Sequence, residues 1–372
     1  MKKIVAFCLI IAIITGVFTV FPSANTTLCV SAKSAVLIDA HSGCILYEKN
    51  AREPMGMAST TKIMTALTVL RLCSADSVVT VSKDAVGTEG SSVYLCEGEQ
   101  LTVEQLLYAL LLSSANDAAV ALAIHASGSV ESFCEQMNRY ADDLDIDDTS
   151  FTNPHGLYDD NHYTTALSLA LIAREAMKNE LLSKIFSTYK ATIPFNGEHD
   201  RRLLVNHNKL LRTYDGAVGV KTGFTKKTGR TLVSAAERNG LTLIAVTLNA
   251  PDDWNDHASM LDYGFENYER RVFYEAGEYE YYMPAVGADS EYARLTNSEP
   301  LALTVKKGVD SVSESVFSSY RFAYAPCGAK EVLGRVELCV DGRTVSSSLV
   351  TNEELCTPKK EKSFWDKLFK KD

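Results

Sequence analysis

No two of the nine cysteines stand in a Cys-x-x-Cys pair, and their number is odd, so the chain carries neither a closed disulfide framework nor a cysteine-based zinc site. Basic residues are also short: 37 lysines and arginines face 47 acids, for a formal charge of −10. That balance argues against a nucleic-acid-binding body, which shows a basic stripe. Low-complexity tracts and internal repeats are missing. What is present, 46% hydrophobic and 23% charged residues over 372 positions, is ordinary globular composition with room for one large domain and a smaller one.

Both ends carry membrane-related signals. Lys2 and Lys3 precede an apolar run over 4–21, and small residues follow at Ser23, Ala24, Ser31 and Ala32. This is the form of a secretory signal peptide, placed at 1–32, with cleavage after Ala24 or Ala32. The alternative is an uncleaved anchor, because the run approaches the roughly 20 residues that span a bilayer. Either way the bulk of the chain is expected outside the cytoplasmic membrane. Cys29 lacks small residues before it and gives no lipid-attachment signal. Cys44, Cys73, Cys96 and Cys134 lie in apolar stretches and read as buried free thiols. At the far end, a polar linker over 351–362 leads into 363–372. On a helix, Phe364, Trp365, Leu368 and Phe369 there share one face, away from Lys367, Lys370 and Lys371. Such a helix suits a bilayer interface; the plainer reading is a frayed basic tail.

Between the ends the pattern is mixed. Apolar runs at 35–39 and 44–47, split by His41-Ser-Gly43, predict a hairpin. Helical spacing predicts a helix from Met57 through Leu70, and Thr102-Val-Glu-Gln105 has the capping-box form at the start of another. The stretch 115–126 is alanine-rich and helical. Strands are expected at 217–224, 231–236 and 241–248, with Asn239-Gly240 as a hairpin turn. Strands at both ends with helices between them predict an α+β domain over 33–272: an antiparallel sheet with a helical insertion. Short alternating segments over 273–350 predict a small all-β sandwich domain.

Three motifs carry chemistry. Ser59-Thr60-Thr61-Lys62 places a hydroxyl and an amine one helical turn apart, so a buried, neutral Lys62 could take the serine proton. Ser-x-x-Lys arises about once or twice by chance in such a chain, but the apolar flanks argue against an exposed helix. Ser114-Ala115-Asn116 offers a relay hydroxyl and a substrate-holding amide; alone it reads more simply as a helix N-cap. Lys221-Thr222-Gly223 at a strand end makes an anion site with close backbone access. A second copy, Lys227-Thr228-Gly229, falls in a turn and is set aside. His155 and His162 lack a zinc-ligand spacing, and no metal is expected.

In this order the three motifs are those of penicillin-binding proteins and class A β-lactamases. The chain resembles the low-molecular-mass penicillin-binding proteins that act as serine D-Ala-D-Ala carboxypeptidases. The likeness runs through Met57-Ala-Ser-Thr-Thr-Lys-Ile-Met-Thr-Ala-Leu67, Leu110-Leu-Leu-Ser-Ser-Ala-Asn-Asp-Ala-Ala119, Asn153-Pro-His-Gly-Leu157 and Gly219-Val-Lys-Thr-Gly223. It covers about 33–350 and extends to the amphipathic tail, which that family uses as an anchor. Ser-Ala-Asn stands where many members have Ser-Gly-Asn. The resemblance implies a β-lactamase/transpeptidase-like fold with Ser59, Lys62 and Ser114 catalytic. Asn116, Lys221, Thr222, Gly223 and Phe224 would bind substrate, and the N–H groups of Ser59 and Phe224 would meet the oxyanion. It implies peptidoglycan stem peptides ending in D-Ala-D-Ala as substrate, β-lactams as inhibitors, no cofactor, and a part in wall remodelling and cell shape.

Two other readings compete. A β-lactamase would use a dedicated glutamate for deacylation, and no Glu-x-x-Leu-Asn string lies between the second and third motifs. A catalytically idle wall-binding protein would have lost a motif residue, and none is lost.

Overall fold

The computed structural model describes residues 28–195, 200–309, 311–318 and 320–358. The signal-like segment up to residue 27 and the tail over 363–372 lie outside them. Strand β1 (Ser34–Asp39) turns back into β2 (Ile45–Lys49), as the hairpin signal predicts. The predicted Met57 helix begins differently: a 3-10 turn, Ala58–Thr61, leads into α1 (Lys62–Leu72). Ala58 has φ of +47°, outside the helical range, which delays the α-helical hydrogen bonding by one turn. A short ladder of β3 (Val78–Thr80) and β4 (Gln100–Thr102) then feeds α2 (Val103–Leu112). Both halves of its capping box form: Thr102 Oγ1 accepts from Gln105 N at 3.2 Å, and Gln105 Oε1 accepts from Thr102 N at 2.9 Å.

Helices α3 (Asn116–Ser127), α4 (Val130–Asp143), α5 (Ala166–Met177) and α6 (Glu180–Ser187) complete the insertion. The hairpin of β5 (Lys190–Phe195) and β6 (Asp200–Val205) follows, then the short α7 (Leu210–Thr213). The chain returns to the sheet as β7 (Ala217–Thr225), β8 (Gly229–Arg238) and β9 (Leu241–Leu248), and α8 (Asp253–Asn267) closes the domain. Asn239 and Gly240 both have positive φ, as the tight β8–β9 turn requires.

The sheet runs β2-β1-β9-β8-β7, all antiparallel. Its period-two pattern separates two cores. Val36, Ile38, Ile244 and Val246 face the core shared with α1 to α6, whereas Leu37, Leu243 and Ala245 face the core shared with α8. Burial on both faces explains why β1 is apolar along most of its length. Strand β7 is left at one edge, and that free edge lies against the Ser59 turn.

The second unit begins earlier than the composition shift suggests. Strand β10 (Tyr268–Tyr274) starts where α8 ends, and its sequence Tyr-Glu-Arg-Arg hides a strand behind charge. It pairs with β13 (Leu301–Lys306). The remaining strands are β11 (Glu280–Val286), β12 (Tyr292–Asn297), β14 (Val312–Ser318), β15 (Ala323–Tyr324), β16 (Val332–Val340) and β17 (Arg343–Thr351). They form a six-stranded sheet in the order β14-β16-β17-β12-β11-β15. Nor is the whole polar stretch over 351–362 a free linker. Leu355 is buried and bridges to Cys327, and Cys356 O accepts from Asp289 N, so 351–356 are tied to the β unit.

The thiol expectation needs correction too. Cys134 is buried and its pKa is pushed up to about 12 by burial, but Cys44 and Cys73 are half-buried and Cys96 is exposed in an irregular loop. No helix among the described residues is long and apolar enough to cross a membrane.

Candidate active site

The side chains of all three motifs converge. Lys62 is fully buried at the start of α1, with Nζ 3.0 Å from Ser59 Oγ one turn back. The amine also donates to Asn116 Oδ1 at 2.7 Å and to the His155 carbonyl at 2.6 Å. A neutral amine has two N–H bonds and one lone pair. Both N–H bonds have carbonyl acceptors here, which turns the lone pair toward the serine hydroxyl. Burial, and then the charge of Lys221, hold the Lys62 pKa well below the usual lysine value; Asp117 pulls weakly the other way. The geometry and the electrostatics therefore agree on an amine able to accept the Ser59 proton.

The Asn153-Pro154-His155-Gly156 turn builds the floor. Asn153 Oδ1 accepts from Gly156 N at 2.7 Å, and Pro154 O accepts from Thr65 Oγ1 at 2.6 Å. Gly156 has φ of +88°, and a Cβ there would stand 1.9 Å from Ala58 O. Only glycine lets this turn press on the backbone of Ala58 and Ser59. His162 is a brace: its Nδ1 accepts from Thr152 N at 3.1 Å, so Nε2 carries the proton and donates to Thr61 Oγ1, 2.8 Å away. Burial lowers the pKa of His155 to about 3 and of His162 to about 4, keeping both neutral. Among the described residues no histidine, cysteine or carboxylate cluster could hold a metal.

Ser114 does not cap α3. The N-cap is Ala115, without a side-chain bond, and Ser114 sits at φ of +59°. Its Oγ instead accepts from Lys221 Nζ at 3.0 Å. The sequence places Ser114 between Lys62 and the leaving group; its hydrogen-bond partner in the fold is Lys221. Lys221 is fully buried, also donates to Thr222 O at 2.9 Å, and has its pKa lowered to about 7 by burial. Gly223 brings edge strand β7 onto the turn: a Cβ there would lie 2.4 Å from Thr231 Oγ1 and 2.9 Å from Ser59 N. Phe224 follows with an exposed ring. Lys227 points to solvent, over the Tyr158 ring at 3.7 Å, as its turn position predicts.

Ser59, Ser114, Thr222, Gly223 and Phe224 line one cleft of about 320 Å³. Four larger hollows among the described residues, of about 640, 650, 490 and 420 Å³, contain no motif residue, so size alone does not mark the site. The cleft also holds residues that motif reading misses: His207, Arg230, Asp253 and Trp254. Arg230 stands opposite Phe224 in the β7–β8 ladder, and its Nε donates to the buried Asp253 carboxylate at 2.9 Å. The hairpin register was the one signal that could have found it.

Comparison with known proteins gives a consistent result. The family described as D-alanyl-D-alanine carboxypeptidase (Peptidase_S11) matches residues 21–252. The chain is 34% identical over 333 residues to the D-alanyl-D-alanine carboxypeptidase DacF of Bacillus subtilis, covering 87% of this chain and 85% of that protein. It is 31% identical over 346 residues to DacA of Escherichia coli, covering 88% and 84%. Penicillin binding protein 5 of Haemophilus influenzae is structurally similar with a TM-score of 0.73 at 30% identity, covering 88% of this chain and 98% of that one.

Proposed function

Because the chain belongs to the D-alanyl-D-alanine carboxypeptidase family, we propose that it removes the terminal D-alanine of peptidoglycan stem peptides with Ser59 as nucleophile. The observation that carries this assignment is the set of contacts around Lys62 Nζ: two carbonyl acceptors, Asn116 Oδ1 at 2.7 Å and His155 O at 2.6 Å, with Ser59 Oγ 3.0 Å away to receive the remaining position of the amine.

Ser59 Oγ attacks the carbonyl of the penultimate D-alanine while its proton passes to Lys62 Nζ. The oxyanion is met by the N–H groups of Ser59 and Phe224, each such donor contributing about 3–4 kcal/mol to the barrier. Ser114 Oγ hands a proton to the departing D-alanine amine, and Lys221, its hydrogen-bond donor, replaces it. Water then attacks the acyl ester, giving one proton to the neutral Lys221 and keeping the other on the product's carboxyl group, while Lys62 returns to Ser59 Oγ the proton it took during acylation. The substrate's carboxylate is held by Lys221, Thr222 and the guanidinium of Arg230. Arg230 is always charged, whereas Lys221 in its buried place is not. β-Lactams carry a carboxylate beside a strained amide and acylate the same serine.

The enzyme works outside the cytoplasmic membrane, delivered by the signal-like segment before residue 28. Cleavage after Ala24 rather than Ala32 fits the fold. Ser31 N and Oγ each bond Asp256 at 2.7 Å and Ala32 is fully buried, contacts that cleavage after Ala32 would remove. The segment 363–372 then rests on the membrane surface through its aromatic face.

The test is D-alanine release from a muropeptide ending in D-Ala-D-Ala by protein starting at residue 25. Release by the wild type and none by Ser59→Ala supports the assignment; equal release by both overturns it.

A further inference from the structure

We propose that Arg202, on the β5–β6 hairpin and outside every motif, is a positioning residue for acylation, acting through segment 89–99 on Asn116 and Lys62. The proposal rests on the assignment of Ser59 and Lys62 above.

The path is a series of named contacts. Lys62 is oriented by Asn116 Oδ1 at 2.7 Å. Asn116 is itself held by segment 89–99: its backbone N donates to Ser91 O at 2.7 Å and its Nδ2 to Glu89 O. That segment has no regular secondary structure between residues 86 and 99; backbone hydrogen bonds tie Gly98 and Glu99 to Val81, and side chains add the remaining restraint. From the inner side Asp117 does so, accepting from Ser92 Oγ at 2.6 Å and Leu95 N at 3.0 Å. From the outer side the work falls to Arg202. Its Nη2 donates to Glu99 Oε2 at 2.8 Å and to Tyr94 O at 3.0 Å, and its Nη1 to Glu99 Oε1 and to Pro194 O at 3.1 Å. Glu99 Oε2 in turn accepts from Cys96 N at 3.0 Å.

This is a built clamp rather than a chance surface pair. The two side chains are only 9% and 6% exposed, and the guanidinium lies 4.3 Å from the Phe195 ring centre. Burial alone would raise the Glu99 pKa, but the hydrogen bonds from Arg202 and Cys96 N hold it below the usual value. A forked, planar donor reaching a carboxylate and two carbonyls together is a task that lysine cannot duplicate. Among the described residues Arg202 makes no hydrogen bond or ion pair to β7, which carries Lys221 and Thr222, so the clamp is expected to act on the acylating half of the site more than on the carboxylate grip.

Truncating Arg202 alone would strand the buried Glu99 charge and risk unfolding. The decisive variant is therefore the double substitution Glu99→Gln with Arg202→Met, which removes the clamp without leaving a charge behind. Its penicillin acylation rate constant and its kcat on a D-Ala-D-Ala peptide should fall about 10- to 100-fold, the scale of a small misplacement of reacting groups. KM should change less than about twofold, and the active-site titre should stay at one per molecule. A merely structural clamp would lower the titre and leave the rate of the remaining active molecules unchanged. A double variant that acylates at the wild-type rate, or one that loses titre alone, overturns the proposal. Arg71→Met with Asp143→Asn, which removes an exposed pair far from the cleft, should leave the rate as it is. A wild type that penicillin fails to acylate at Ser59 would instead sink the assignment on which the proposal rests.

Discussion

Lys62 and Asn116 are joined by a 2.7 Å hydrogen bond in which the lysine donates and the asparagine Oδ1 accepts. Since Nζ also donates to His155 O, that bond decides which way the lone pair faces. Replacing Asn116 by aspartate would put a carboxylate against Nζ and favour the charged lysine. The Asn116→Asp enzyme should be acylated by penicillin about 10²- to 10⁴-fold more slowly at neutral pH, the usual range for losing a general base. Stopped-flow acylation kinetics read this directly, and an unchanged rate would show that Lys62 is not the base.

The pH profile follows from the two buried lysines. Lys62 must be neutral to act, so kcat/KM falls as pH drops and Lys62 takes up a proton. Lys221, lowered to about 7 in the free site, must hold its proton to serve the leaving group and the carboxylate, so kcat/KM also falls on the alkaline side. A bound carboxylate favours the ammonium form of Lys221, so the alkaline limb of kcat should lie at higher pH than that of kcat/KM. The limbs belong to the coupled pair. Coincident alkaline limbs in the two profiles would argue against Lys221 as the carboxylate's partner.

Arg230 should discriminate free acids from amides. Arg230→Leu should lower kcat/KM for a peptide ending in a free D-alanine carboxylate by about 10- to 100-fold, the equivalent of one charge-assisted hydrogen bond of about 1.5–3 kcal/mol. Turnover of the same peptide with a C-terminal amide should be hardly affected. Parallel losses on both peptides would assign Arg230 to fold maintenance through Asp253 instead.

Gly156→Ala should damage stability and chemistry together. Its Cβ would meet Ala58 O at 1.9 Å, at a φ of +88°, so the turn and the backbone of Ala58 and Ser59 must separate. A loss of about 1–3 kcal/mol is the scale for such strain. Thermal melting and penicillin titration should both report it.

Much of this was legible in the residues, for local reasons. The capping box at Thr102, the Asn239-Gly240 turn and the period-two strands follow from nearest-neighbour geometry, and the three motifs follow from side-chain chemistry. What stayed hidden was built from main chain or from distant pairing. The carbonyls of His155, Glu89 and Ser91 have no residue-type signature, and any amino acid could have supplied them. Arg230 and Asp253 meet only because β8 and α8 pack together, and Arg202 finds Glu99 103 residues away. Strand β10 was obscured by its charged residues, and the Ser114 capping reading failed because a positive φ turned its hydroxyl toward Lys221.

The most direct test of the central claim is intact-mass and peptide-level mass spectrometry after brief exposure to benzylpenicillin. The account predicts one covalent penicilloyl group per molecule, carried by the peptide that contains Ser59, and none on the Ser59→Ala protein. An unmodified wild type, or an adduct on any other residue, would contradict it.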